Sequence, residues 1–234
     1  ILYGGYNTLQ SDLSINFLAY GEMRGDAFYN NAFNVNADKV VNNSLDNNIF
    51  WASWYNYYRV IKQANAVIKF TPQVLEAGGI SAEKADDVMG QAYCLRAFTY
   101  FWIIRIWGDA PLVTAPYLDS NDSFDLPKAA VADIVEQIHS DLENASNMID
   151  KNSTSRTTFT QTAAYAINAH VYAWEHKYEE TINMADKVLT NTNYTLANLY
   201  DEKYTGTTDD VKNKNFKALV QASEYAQIFN TGRS

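Results

Sequence analysis

The stretch RAFTYFWIIRIWGDAPLV, residues 96–113, constrains the fold more than any other part of this chain. It holds five aromatic rings between Phe98 and Trp107, carries Arg96 and Arg105, and runs into Gly108-Asp109-Ala110-Pro111. A membrane span needs about 18 or more uninterrupted apolar residues. Here Arg105 intervenes after the eight residues 97–104, so the stretch is not a span. At helical spacing its apolar side chains point in every direction, and such a helix must be enclosed by neighbours. Ser81, followed by Glu83, supplies an N-cap. Gly108 is the expected left-handed C-cap, and Pro111 prevents the helix from resuming. The reading is a central buried helix whose rings are core. Arg96 and Arg105 cannot be buried alone, so a carboxylate or several carbonyls should meet each.

The rest of the chain also reads as helical. A helix is expected around residues 6–17, followed by an irregular segment. Eight asparagines between Asn30 and Asn48 favour turns, so residues 26–50 read as a long Asn- and aromatic-rich loop. Trp51, Trp54, Tyr58, Ile61, Asn65 and Ile68 then recur at three- and four-residue steps, one stripe of a helix that Pro72 and Gly78-Gly79 should end. Asn65 is a polar residue in that stripe and needs hydrogen-bond partners from a neighbouring loop. Pro127 suits a first helical turn before the stripe Val131, Ile134, Val135, Ile138, Leu142, Ala145 and Ile149. Residues 161–189 read as two antiparallel helices joined near His176, the second resembling half of a tetratricopeptide unit. A polar tail from Tyr200 leads to a last helical piece, residues 216–229.

The chemistry is sparse. A net charge of −9 with scattered lysines argues against nucleic acid. Cys94 is the sole cysteine, which excludes internal disulfides and multi-cysteine metal sites, and its apolar setting implies an inert thiol. His170 and His176 are six apart, wrong for two ligands on one helix face, and His139 flanks an apolar stripe. No zinc-protease, nucleophile-elbow, phosphate-loop or dinucleotide motif occurs, and no carboxylate pair stands out for glycosidic chemistry. No cofactor is expected. Arg24-Gly25-Asp26 and the four Asn-x-Ser/Thr sequons are of a kind that chance supplies. The combination of 14% aromatic residues with abundant asparagine is more suggestive. Flat rings stack on sugar C–H faces while Asn, Asp and Arg bind hydroxyls, and residues 28–51 hold both types.

In order, GEMRGD, WASWYNYYRVIKQANAVI, AYCLRAFTYFWIIRIWGDAPLV, VADIVEQIHSDLENA and TQTAAYAINAHVYAWEHKYEETINMADKVL resemble the SusD/RagB family of Bacteroidetes outer-membrane lipoproteins. Leu95-Arg96-Ala97-Phe98 combined with Gly108-Asp109-Ala110-Pro111-Leu112 is the most specific part. The resemblance covers the chain from about Tyr6. It implies an all-α fold, with tetratricopeptide-like helix pairs forming a superhelical scaffold among long loops, here one domain over residues 1–234. It further implies non-catalytic glycan binding at the cell surface, an N-terminal lipid anchor outside this chain, and a SusC-like TonB-dependent transporter as partner. A chain about half the family's usual length implies a truncated domain. The family's sugar site draws on the loop after the R-G-D-like segment, which makes Arg24, Asp26, Tyr29, Phe33, Asn48 and Trp51 the candidates. Asn65, Arg96, Gly108, Asp109 and Pro111 are expected to be structural. The competing function is a tetratricopeptide-type scaffold for protein or peptide segments.

Overall fold

The structure is a computed structural model and describes residues 1–25, 34–117 and 125–190, which lie in one unit, Ile1–Asn191. It is all-α, with eight helices and no strand among the described residues. The helices are α1 (Leu2–Ser11), α2 (Ser14–Gly21), α3 (Val35–Val41), α4 (Tyr55–Glu76), α5 (Ala82–Trp107), α6 (Val131–Met148), α7 (Gln161–Trp174) and α8 (Tyr178–Leu189). The final helical piece expected over residues 216–229 lies outside the described residues.

Helix α5 is the centre, as its all-round apolar sequence requires. It packs on α6, α4, α1 and α7, and Leu95, Ala97, Tyr100 and Ile103 are fully buried. The Ser81 hydroxyl accepts the Lys84 N–H, so the predicted N-cap is formed. Cys94 sits fully buried, and burial pushes its thiol well above the ordinary range, which makes it inert. Gly90 lets α6 approach: a Cβ there would lie 2.8 Å from the Ile149 backbone nitrogen. Helix α6 buries the predicted stripe of Ile134, Val135, Ile138, Leu142 and Ala145 against α5.

Several boundaries differ from the sequence expectation. The helix expected around residues 6–17 is two, because the chain turns at Asp12 and buries Leu13 completely. Residues 35–41 of the expected loop form α3, capped by the Asn34 side chain on the amides of Asn36 and Ala37. Trp51 lies in a separate 3-10 turn, Phe50–Ala52, and Trp54 is the N-cap of α4. Pro72 does not end α4, which runs on past it to Glu76. The stop is Gly78 at φ 71°, where Gly79 N–H reaches the Val74 carbonyl and Gly78 N–H that of Leu75, both at 2.9 Å. Pro127 precedes α6 by several residues instead of opening it.

Helices α7 and α8 form the expected hairpin. His176 takes the left-handed turn position at φ 63°, with Lys177 N–H on the Tyr172 carbonyl. His139 of α6 is half-buried against this hairpin. Its ring stacks on Tyr172 at 4.2 Å, and its two nitrogens lie 2.8 Å from Asn168 Oδ1 and 2.6 Å from Glu175 Oε2.

Candidate functional site

The geometry of the candidate site starts where α5 stops. Gly108 has φ 73° and ψ −128°, which is the mirror image of extended backbone, not the left-handed helical cap expected. Only glycine occupies that region readily, and it reverses the chain in a single residue. Asp109 Oδ1 then accepts the Val131 N–H at 3.0 Å, capping α6 from a distant segment because Ala130 offers no side-chain cap. Ala110 is buried and pairs with Ala129. From Pro111 the chain runs extended along α4.

Side chains of α4 and α5 hold this run in place. Asn65 Nδ2 donates to the carbonyls of Val113 (3.0 Å) and Ala115 (3.3 Å), and its Oδ1 accepts from Arg96 Nη1 at 2.7 Å. Arg96 also donates to the Thr114 carbonyl and forms two parallel bonds to the carboxylate of Asp141. The Tyr100 hydroxyl accepts the Val113 N–H at 2.7 Å. Burial alone would lower the Arg96 pKa, but the Asp141 carboxylate outweighs it and the net direction is upward. Burial pushes Asp141 up in turn, with Arg96 opposing it. Arg105 departs from its expectation: it is exposed, lies over the rings of Phe101 and Trp102, and among the described residues donates to one carbonyl, that of Phe101. Its stem and the two rings partly desolvate it, and this lowers its pKa from the ordinary arginine value.

Between α4 and the extended run lies a groove of about 440 Å³ lined by Trp54, Tyr55, Tyr58, Arg59, Lys62 and Tyr117, with Pro111, Val113 and Leu126 among the apolar remainder. Tyr55 is 69% exposed. Tyr58 is fixed by a 2.7 Å bond from its hydroxyl to the Pro111 carbonyl, and Trp54 lies 5.9 Å from its ring. Burial raises the Tyr58 hydroxyl well above its ordinary pKa, so it stays a neutral donor. The groove therefore offers aromatic side chains, Tyr58 fixed among them, beside cationic ends. Trp54 and Tyr58 belong to the stripe expected of α4, and the groove uses its flank as well. Tyr55, Arg59 and Lys62 recur at four- and three-residue steps, a second stripe beside the buried one, and that spacing was the available signal.

The loop candidates are placed as follows. Arg24 Nε donates to Asn43 Oδ1 at 2.8 Å, which ties the end of α2 to the end of α3. Asn48 is exposed, its N–H held by Asp46, while Lys39 pairs with Asp46 at 2.6 Å. Trp51 is half-buried and is followed three residues later by Trp54 of the groove. Asp26, Tyr29 and Phe33 lie outside the described residues. Arg24, Asn48 and Trp51 do not line the groove. Among the described residues no group of His, Cys, Asp and Glu could hold a metal ion, and no helix is long and apolar enough to cross a membrane.

Residues 2–173 match a SusD-like family described as "Starch-binding associating with outer membrane". SusD-like protein P38 of Formosa agariphila is 26% identical over 201 residues, covering 83% of this chain and 38% of that protein. A solved SusD superfamily protein from Bacteroides thetaiotaomicron superposes with a TM-score of 0.72 at 21% identity, covering 90% of this chain and 52% of that one. A laminarin-binding SusD-like protein gives a TM-score of 0.68 at 19% identity, covering 90% and 48%. The chain thus spans 38% of the length of that curated relative and about half of these structures. At such identities the superpositions speak for the fold alone. The family match is the broader statement: it runs from α1 into α7, through the groove and the polar junction that frames it, and by it the chain belongs to the SusD/RagB family.

Proposed function

We propose that this chain is the helical part of a non-catalytic glycan-binding protein. It would act at the bacterial outer membrane, facing outward from an N-terminal lipid, and pass its ligand to a SusC-like TonB-dependent transporter. The observation that carries the reading is the α4 groove. Trp54, Tyr55, Tyr58 and Tyr117 line one concavity, in a family described as starch-binding. Flat apolar faces with a few polar groups at their edges suit sugar rings, whose C–H faces stack while their hydroxyls hydrogen-bond. Tyr58 is pre-set by its bond to Pro111, which reduces the ordering cost on binding. The name of the laminarin-binding relative supports the same ligand class. We assign the segment of Arg24, Asp26, Tyr29, Phe33, Asn48 and Trp51 a second contact surface for the same ligand, reached along the chain from Trp51 to Trp54.

The test is affinity electrophoresis and calorimetry of the full chain against a panel of polysaccharides, with product analysis of the same mixtures. Retention of at least one glycan without cleavage products is expected. Cleavage would make the protein an enzyme, and no retention of any glycan would remove the reading.

A further inference from the structure

The groove is cationic in a chain whose net charge is −9. Among the described residues its lining holds Arg59 and Lys62 and no carboxylate. A third cation stands at its edge, where Lys128 Nζ lies 5.8 Å from the centre of the Trp54 ring. The one carboxylate bonded to any of the three among the described residues is Asp12, whose Oδ2 takes Arg59 Nη1 at 3.0 Å. Arg59 Nη1 also reaches Asn56 Oδ1 at 3.1 Å, and the guanidinium lies 5.7 Å from the Tyr55 ring centre. Its Nε and Nη2 make none of these bonds. Lys62 is exposed and makes no hydrogen bond or ion pair with the described residues, one turn beyond Tyr58 on the face that carries Arg59.

Aromatic faces alone would accept any sugar with an apolar side. Three cations around them, with one partner carboxylate, make the surroundings favour a ligand that brings negative charge to the ring edge. Arginine matches planar or tetrahedral oxyanions through paired N–H donors, and lysine adds a mobile point charge. Neutral sugars would offer these cations only hydroxyls, which gain less from them than an oxyanion does.

We propose that the α4 groove binds an anionic sugar ring, a carboxylate or sulfate ester at the ring edge meeting Arg59, Lys62 and Lys128 while the ring stacks on Tyr55 and Trp54. This rests on the glycan-binding reading above and narrows its substrate class. The shared chemistry is an oxyanion on a pyranose, and its two sources are a uronic acid and a sulfated sugar.

The experiment uses the full chain and matched polysaccharides on several backbones. Each backbone is offered neutral, oxidised at C6 to the uronate, and O-sulfated. At low salt at least one anionic form should bind about tenfold tighter than its neutral parent, the weight of one charge-assisted contact. That ratio should shrink as salt approaches about 1 M, where screening acts within about 3 Å. Preference for the uronate or for the sulfate identifies the source. The Lys62→Gln, Lys128→Gln double variant should bring the ratio toward one, with its melting curve recorded as the control for folding. A second variant, Arg59→Gln, repeats the test from the third cation. Equal affinity for neutral and anionic forms overturns the inference while the glycan-binding reading stands. A preference that survives both variants places the anion elsewhere and also overturns it. Binding to no member of any set overturns both.

Discussion

Arg96 and Asp141 face each other across 45 residues of chain through two parallel bonds of 2.8 and 2.7 Å, and neither side chain is more than 4% exposed. The pair joins α5 to α6, and Arg96 Nη1 donates to Asn65 Oδ1 of α4 and to the Thr114 carbonyl. One guanidinium thus serves three helices and the segment that walls the groove. Removing it would leave a buried carboxylate with only the Gln137 amide, 2.8 Å from its Oδ1, and would take a donor from both the Asn65 amide oxygen and the Thr114 carbonyl. Arg96→Ala should therefore destabilise the chain by about 3–5 kcal/mol, read from the denaturant midpoint at constant slope. A double replacement by apolar residues, Arg96→Met with Asp141→Leu, should lose less than either single change, because no buried charge is stranded. An unchanged midpoint for Arg96→Ala would refute the account.

Asn65 acts through both ends of its amide. Leucine at this position would take the amide donor from the carbonyls of Val113 and Ala115, leaving Val113 only the Tyr100 hydroxyl, and would strand one Arg96 donor. A loss of about 1–3 kcal/mol is expected, with the groove wall loosened. Proteolysis should show faster cutting in residues 111–117 of Asn65→Leu than in the parent, and equal rates would count against the bridging role.

Asp109 caps α6 across 22 residues. Asp109→Ala should cost about 1 kcal/mol, and Asp109→Asn should restore most of it, since an amide oxygen can accept the same Val131 N–H. Thermal melts of the two variants decide this. If asparagine is as damaging as alanine, the carboxylate has a role other than capping.

Acid stability should depend on Asp87. Burial raises its pKa, but bonds from Lys84 and Gln91 outweigh burial and hold the carboxyl below its ordinary value of 3.8. A group with a depressed folded pKa contributes stability that is fully present above its unfolded pKa and is lost as pH falls through the folded one. The parent should thus lose stability below about pH 4 by more than Asp87→Asn does, measured as the midpoint difference between pH 6 and pH 3. Parallel pH profiles for the two proteins would exclude this role.

Ring function and ring packing should separate cleanly. Tyr55 is 69% exposed and Tyr100 is fully buried. Tyr55→Ala should leave the melt unchanged and weaken glycan binding by about 2 kcal/mol or more. Tyr100→Ala should cost about 3–5 kcal/mol of stability by opening a cavity and freeing the Val113 N–H. Loss of binding in Tyr55→Ala that tracks a loss of fold would refute the groove.

What the sequence determined by itself is local or composition-driven. The all-round apolar run of α5 required a central helix, Ser81 announced its start, and the stripe of α6 named its buried face. Arg96 and Asn65 declared a need for partners, since a buried guanidinium or amide cannot stand alone. Family membership was legible for the same reason: short motifs carry those needs in order along the chain. The tertiary structure alone decided who the partners are. Asp141, Thr114 and Val113 lie 13 to 48 residues from the side chains they serve. No local period encodes such pairings. It also decided that Gly108 adopts mirror-image extended backbone, that Gly78 and not Pro72 stops α4, and that α3 forms within an asparagine-rich stretch. Each depends on what the neighbouring chain can accept. The groove shows the division most plainly. Tyr55, Arg59 and Lys62 were visible as a stripe, but a stripe becomes a concavity only when residues 111–117 are bonded down alongside it, through Asn65, Arg96 and Tyr100.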